Sequence, residues 1–293
     1  LGLRTTISER QRRLGHELKR LREQADLTAG EAAQRIGMGR GQLSHIETGR
    51  TTILTPRLRD LCRTYGIEDE TYADALVAMS ESTGKGWWSA YKGRIGPGAL
   101  DLAELESTGT NLHSHQSLFV PGLLQTEDYT RAIVRTAKPT HGTVEDAVAF
   151  RMERQRILTG DQPAALHAVI HEAALHMRFG GSHVMRAQLL HLVEVAKLPH
   201  VTIQIFPFDA DVYAAYTGTF LHVTPVVRQL GTVILEHPVA SLHLTEVGQL
   251  AEYNAFFDTL TGQALAPIDP HTAAATHQEK DSLALIQHLL YTL

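Results

Sequence analysis

Residues 28–50, TAGEAAQRIGMGRGQLSHIETGR, constrain the fold of this chain more than any other stretch. Thr28 followed by Glu31 has the spacing of a capping box, in which each side chain satisfies a backbone N–H near the other residue, and opens a helix to about Ile36. Gly37 and Gly39 bracket a tight turn, where glycine reaches a left-handed backbone most easily. A second helix is expected from about Arg40 to Thr48, closed by Gly49. Ala33 is small where the two helices would cross, and Ala32, Ile36, Met38, Leu43 and Ile46 are apolar where they would be held together. This is the pattern of a helix-turn-helix, whose second helix enters the major groove while the first crosses the backbone. A hairpin used only for packing needs the apolar set. It does not also need the small residue, the glycine turn and an exposed face of Arg40, Gln42, Ser44 and His45. Those side chains suit the edges of base pairs, arginine best for guanine and glutamine for adenine.

The flanking segments extend the helical pattern. Leu14, Leu18 and Leu21 recur at helical spacing in an amphipathic helix over 11–25. Thr55 and Pro56 form an N-cap and first-turn pair for a helix through Tyr65, and Asp69 to Met79 is expected to be a fifth. The polar, small-residue run at 80–86, SESTGKG, marks a boundary. The expected division is therefore 1–80 as a five-helix domain, 81–86 as linker and 87–293 as a larger domain. Charge divides along similar lines. Residues 1–66 carry 13 Lys+Arg against 7 Asp+Glu, a net of +6, and 67–293 carry 14 against 25, a net of −11. A basic module joined to an acidic body points to a polyanion for the first and another role for the second.

In the larger domain, helices are expected at 99–107, 125–136, 144–158, 183–197, 246–261 and 278–291. Strands are expected at 113–119, 165–171, 201–206, 219–224 and 232–236. Turn-like segments rather than helices separate the late strands, which predicts an α+β domain with a mainly antiparallel sheet. With 43% hydrophobic residues the chain has ample material for a core. No stretch approaches the ~20 apolar residues that span a bilayer. The N-terminus has no apolar core of signal-peptide length, so the expected location is cytoplasmic, with no membrane partner.

Chemistry is sparse. Cys62 is the single cysteine and shares a helical face with Leu58, Leu61 and Tyr65, which makes it a buried, inert thiol. The 17 histidines invite a metal, yet HEAALH places His171 and His176 five apart, where a zinc-protease helix needs four. HSH at 113–115 puts two rings on one side of a strand without indicating a metal site. There is no nucleophile elbow and no phosphate-cradling glycine loop. The expectation is no enzyme, no catalytic residue, no metal ligand and no cofactor. Arg151, Arg154 and Arg156 beside Glu153 read as a solvated, internally paired helix face, and Pro121-Gly122 as a turn before a helix capped near Thr126. Trp87, Trp88 and Tyr91 are candidates for docking the two domains, or for lining a ligand pocket.

Residues 14–66, with MGRGQLSHIETG as the recognition-helix segment, resemble the five-helix Xre type of bacterial repressor domain. The resemblance implies that Arg40, Gly41, Gln42 and His45 fall where that family reads base edges, and Thr28, Arg50 and Arg57 where it grips phosphate. Two positions depart from it: Gly41 has no side chain to read with, and Ala29 replaces a frequent phosphate-binding Gln. Glu47 would serve the fold, because a carboxylate facing phosphate is repelled. Further along, LFVPGLLQTEDYTRA (118–132), RMERQRILTG (151–160), HEAALHMRFGGSHVMRAQLLHL (171–192), VTIQIFPFDA (201–210) and YTGTFLHVT (216–224) together resemble the large C-terminal domain of actinobacterial antitoxin-like Xre regulators, the WhiJ-like group. That resemblance implies a transcriptional regulator of double-stranded DNA, acting as a homodimer with a small partner protein encoded nearby. A small-molecule effector in the C-terminal domain is the alternative input, and an enzyme fused to a DNA-binding domain is a third reading.

Overall fold

In the computed structural model, Ser8 caps the first helix, α1 (Glu9–Gln24), and exchanges hydrogen bonds with Gln11 in a capping box. The structure describes residues 3, 4, 6–210, 218–237, 241–269 and 281–293. The chain divides into two compact units, Leu1–Ser89 and Ala90–Leu293.

The first unit is helical. After α1 come α2 (Ala29–Arg35), α3 (Arg40–Glu47), α4 (Thr55–Thr64) and α5 (Glu70–Glu81). Leu14, Leu18 and Leu21 of α1 are buried, as are Leu58, Leu61 and Cys62 of α4 and Leu76 of α5. Burial pushes the Cys62 thiol pKa up, which keeps it protonated and inert. The core also contains ionised groups. Glu17, 1% exposed, accepts from Arg13 at 2.6 Å and from Arg20 and Tyr72, and these partners hold its carboxyl below the usual range against the opposing effect of burial. Thr55 is not the cap of α4. Leu54 takes that position, and the Thr55 hydroxyl donates to Glu81 Oε1 instead. That contact belongs to the end of α5, which continues through Ser80 and Glu81 into the expected boundary run.

The second unit is α+β. Its helices are α6 (Pro97–Glu106), α7 (Glu127–Ala137), α8 (Val144–Arg154), α9 (Glu172–His176), α10 (Ser182–Val195), α11 (Val247–Gln263) and α12 (Ser282–Thr292). The strands are β1 (Asn111–Gln116), β2 (Ala165–His171), β3 (Val201–Phe206), β4 (Phe220–Thr224), β5 (Thr232–Leu235) and β6 (Leu242–Leu244), in the order β3-β2-β1-β4-β5-β6. Three of the five pairings are antiparallel, all involving β4 or β5. The pairs β1–β2 and β2–β3 are parallel, because α7 and α8 fill the first crossover and α10 the second. The sheet is thus mixed and mostly antiparallel. β6 was not expected, β1 ends three residues earlier than the predicted 113–119, and the predicted 278–291 helix begins in residues that lie outside those described. Residues 216 and 217 of the YTGTFLHVT segment also lie outside them.

Alternating strand residues divide two apolar layers. Leu112, Leu166, Ala168, Ile170, Ile203 and Ile205 face α10 and α12 on one side. Val169, Phe206, Phe220 and Val233 face Leu250, Phe257 and Leu260 of α11 on the other.

Candidate nucleic-acid interface

The turn between α2 and α3 follows from its residues. Thr28 caps α2, its hydroxyl accepting from the Glu31 N–H at 3.2 Å while Glu31 accepts from the Thr28 N–H at 2.8 Å. Gly37 adopts a left-handed φ of 64°, and the Met38 N–H then folds back onto the Ala33 carbonyl at 2.8 Å. Gly39 does not share the left-handed backbone; it caps α3 from an extended φ of −74°. Ala32, Ala33, Met38, Leu43 and Ile46 are buried, whereas Ile36 is half-buried. Gly49, with φ 72°, closes α3.

Two contacts fix α3 on α1. Glu47 is 8% exposed and pairs with Arg22, Oε1 to Nε at 2.6 Å and Oε2 to Nη2 at 3.1 Å, while Arg22 Nη1 donates to the Leu27 carbonyl at 2.7 Å. Glu47 therefore serves the fold, and its charge is turned away from solvent. Gly15 permits the close crossing: a Cβ there would lie 2.5 Å from the Glu47 carbonyl oxygen and 2.8 Å from that of Ile46. Neither Gly15 nor Arg22 stands out from the sequence pattern as a functional residue. The signal for Gly15 was a glycine inside a strong helical pattern, which implies a close approach of backbone.

With α3 so held, Arg40, Gly41, Gln42 and Ser44 are exposed and His45 is half-buried. Thr28 and Arg50 are exposed and Arg57 is half-buried. The side chains of Arg40, Gln42, Arg50 and Arg57 make no hydrogen bond or ion pair with another described residue. Unengaged guanidinium groups around a short, firmly held helix can form bidentate bonds to a base edge or a phosphate without first breaking internal contacts. The Arg4 guanidinium adds a cation at this end, donating to the Gly49 carbonyl at 2.9 Å.

The aromatic trio falls on both sides of the division between the units. Trp87 and Trp88 pack edge to face at 6.0 Å in the first unit. Tyr91 is buried in the second, donating its hydroxyl to Glu153 Oε2 at 2.7 Å and packing on Phe150 at 5.2 Å. The arginine face at 151–156 also departs from expectation. Arg156 is 79% exposed, but the Arg154 side chain is only 11% exposed and lies 3.0 Å from buried Glu106. Arg151 Nη1 donates to Gln125 Oε1 at 2.7 Å, and burial together with the Arg154 charge pushes its pKa down to about 10. Both arginines line a cavity of about 190 Å³ within the second unit, between α6, α8, the β1–α7 loop and the sheet. Glu106 and Glu236 line it too.

His113, His167 and His222 form a row across β2, β1 and β4, over Phe257. Among the described residues, no three His, Cys, Asp or Glu side chains are placed to hold a metal ion. His171 instead caps α9, its Nδ1 accepting from the Ala173 N–H at 3.1 Å. No described helix is long and apolar enough to cross a membrane.

Family comparisons agree with the two-part organisation. A model described as a helix-turn-helix domain matches residues 13–76, and one described as a domain of unknown function, DUF5753, matches residues 99–273. No curated protein and no solved structure matches the chain.

Proposed function

The chain belongs to the family defined by the DUF5753 domain, here with a helix-turn-helix domain ahead of it, and from this premise we propose that it is a sequence-specific transcriptional regulator of the Xre type. The observation that carries the reading is the face of α3, where Arg40, Gln42, Ser44 and His45 stand on a helix fixed from behind by Arg22–Glu47. In this reading Arg40, Gln42, Ser44 and His45 contact base edges, Gly41 lets α3 approach the duplex closely, and Thr28, Arg50 and Arg57 hold phosphates. A homodimer would place two such helices about 34 Å apart, one turn of the duplex. The test is a binding-site selection with the full chain and with Arg40→Ala. The substitution is expected to cost ~1–3 kcal/mol of binding and to relax the preference at one base pair. An unchanged preference would remove Arg40 from the reading set.

The second unit receives the regulatory input and performs no chemistry of its own in this proposal. The likeness to actinobacterial antitoxin-like regulators of the WhiJ-like group supports a small partner protein as that input. One observation supports the second reading, a small-molecule effector: the 190 Å³ cavity lined by Arg151 and Arg154. In this proposal the regulator acts where its DNA is, in the cytoplasm.

A further inference from the structure

The cavity in the second unit gathers charged groups beyond those that hold its walls together. Arg151 has a single side-chain hydrogen bond among the described residues, to Gln125, and no acidic partner in an ion pair. Gln125 is itself spent on the fold, its Nε2 donating to the Val120 carbonyl at 2.7 Å and its Oε1 accepting also from Thr130 at 3.1 Å. The other Arg151 nitrogens are not sealed within protein, and the residue lines the cavity. Arg154 lies beside it. Its Nε approaches Glu106 Oε2 at 3.0 Å without hydrogen-bond alignment, so Nε and both Glu106 oxygens are buried with no hydrogen-bond partner. The two Arg154 Nη groups escape that burial. Two guanidinium groups thus meet over one buried carboxylate, Glu106, and Glu236 is the second acidic group of the lining.

We propose that this cavity binds a small monocarboxylate with an apolar body, its carboxylate held by the Arg151 and Arg154 guanidinium groups. Planar guanidinium groups match a carboxylate through paired N–H donors, and desolvation strengthens the match. Leu102, Ile133, Leu166 and Leu221 supply apolar wall for the body of the ligand. The volume of about 190 Å³ suits a small organic acid. A dianion is disfavoured, because Glu106 inside and exposed Glu236 at the edge would face its second charge. The cavity lies over the face of the sheet that carries Ser114, Gln116, Leu166 and Leu221, and extends along the loop that follows β1.

The inference gives the small-molecule reading its ligand class and rests on that reading only for an effect at DNA. The test is calorimetric titration of the full chain with 4-methylpentanoate, its neutral amide, and the dianions succinate and phenyl phosphate. The monocarboxylate is expected to bind at low millimolar concentration or better, with the amide and both dianions weaker by about tenfold or more. Arg151→Gln should remove binding. Two milder substitutions keep the test decisive if that variant does not fold. A Cβ at position 122 would meet Arg154 Nη2 at 2.6 Å, the movable end of a side chain, so Gly122→Ala should weaken binding. Glu236→Gln removes a repelling charge from an exposed residue and should tighten it. Absence of binding, equal binding of the amide, or weaker binding by Glu236→Gln would overturn the proposal. Operator affinity is then measured with and without 4-methylpentanoate. Equal values beside demonstrated binding would end the effector reading while the site stood.

Discussion

Gly41 is exposed in the first turn of α3, and a Cβ added there meets nothing within 4 Å. Glycine inside a helix is less favourable than alanine by ~0.8–1 kcal/mol. Gly41→Ala should therefore stabilise the first unit by about that amount, read as a higher denaturation midpoint. If the glycine is kept so that backbone can approach the duplex, the same variant should bind operator more weakly. A more stable variant with unchanged affinity would assign Gly41 no part in recognition. His115 sets a different condition. It is fully buried on β1, its Nδ1–H donates to the Val169 carbonyl at 3.0 Å, and burial pushes its pKa down to about 4. The unfolded chain, with an ordinary histidine pKa near 6.5, binds the proton first. Stability is therefore full above about pH 6.5 and declines as pH falls towards 4, by on the order of 3 kcal/mol for this residue. Burial and the neighbouring His222 and His167 push His113 down to about 4 as well, adding to the loss in the same window. Acid unfolding of the second unit followed by circular dichroism should show this decline, and His115→Leu should move the midpoint to lower pH.

At the scale of elements, helix starts and the turn were legible because local chemistry determines them. The capping box at Thr28 and Glu31, the left-handed Gly37 and the leucine spacing of α1 each act within a few residues. Features that depend on distant segments were not. The Thr55 cap gave way to a contact with Glu81, 26 residues away, and Arg151 and Arg154 turned inward to Gln125 and Glu106 rather than outward. An arginine run reads as surface unless the position of a buried carboxylate is known, and spacing does not supply that. The mainly antiparallel sheet was legible from the turn-like segments between the late strands, whereas the parallel β1–β2 and β2–β3 pairs depend on which strands the helical crossovers join, and spacing does not supply that. The α1–α3 crossing yields a prediction that turns on one methyl group. Gly15→Ala would press Cβ against the Glu47 and Ile46 carbonyls, which are backbone atoms with no free rotation. Overpacking of this kind costs typically ~1–3 kcal/mol. Chemical denaturation should show that loss, and DNA affinity should fall with it as α3 is displaced. A variant as stable as the parent would mean that the two helices separate without penalty.

For the whole molecule, the charge division sets how binding and regulation are joined. Residues 1–66 carry a net of +6 and 67–293 a net of −11, so the attraction to DNA resides in the first part. Operator affinity should fall steeply with salt, its logarithm declining by ~0.9 per phosphate neutralised for each unit of log salt. Arg50→Ala or Arg57→Ala should reduce that slope by about one if each guanidinium holds one phosphate. The acidic second part contributes repulsion instead, and any input it receives must act through a difference in free energy between DNA-competent and incompetent forms. Linkage makes that difference reciprocal. A partner that alters operator affinity by a given factor must have its own affinity altered by operator to the same extent, typically ~1–3 kcal/mol or roughly 5–150-fold. Titrating the proposed small partner protein into the full chain with and without operator measures the factor from one side, and titrating operator with and without that protein measures it from the other. The two should agree. Equal partner affinities with and without DNA would mean that the small protein is not the regulatory input, and the ligand proposed for the arginine-lined cavity would then be tested in its place.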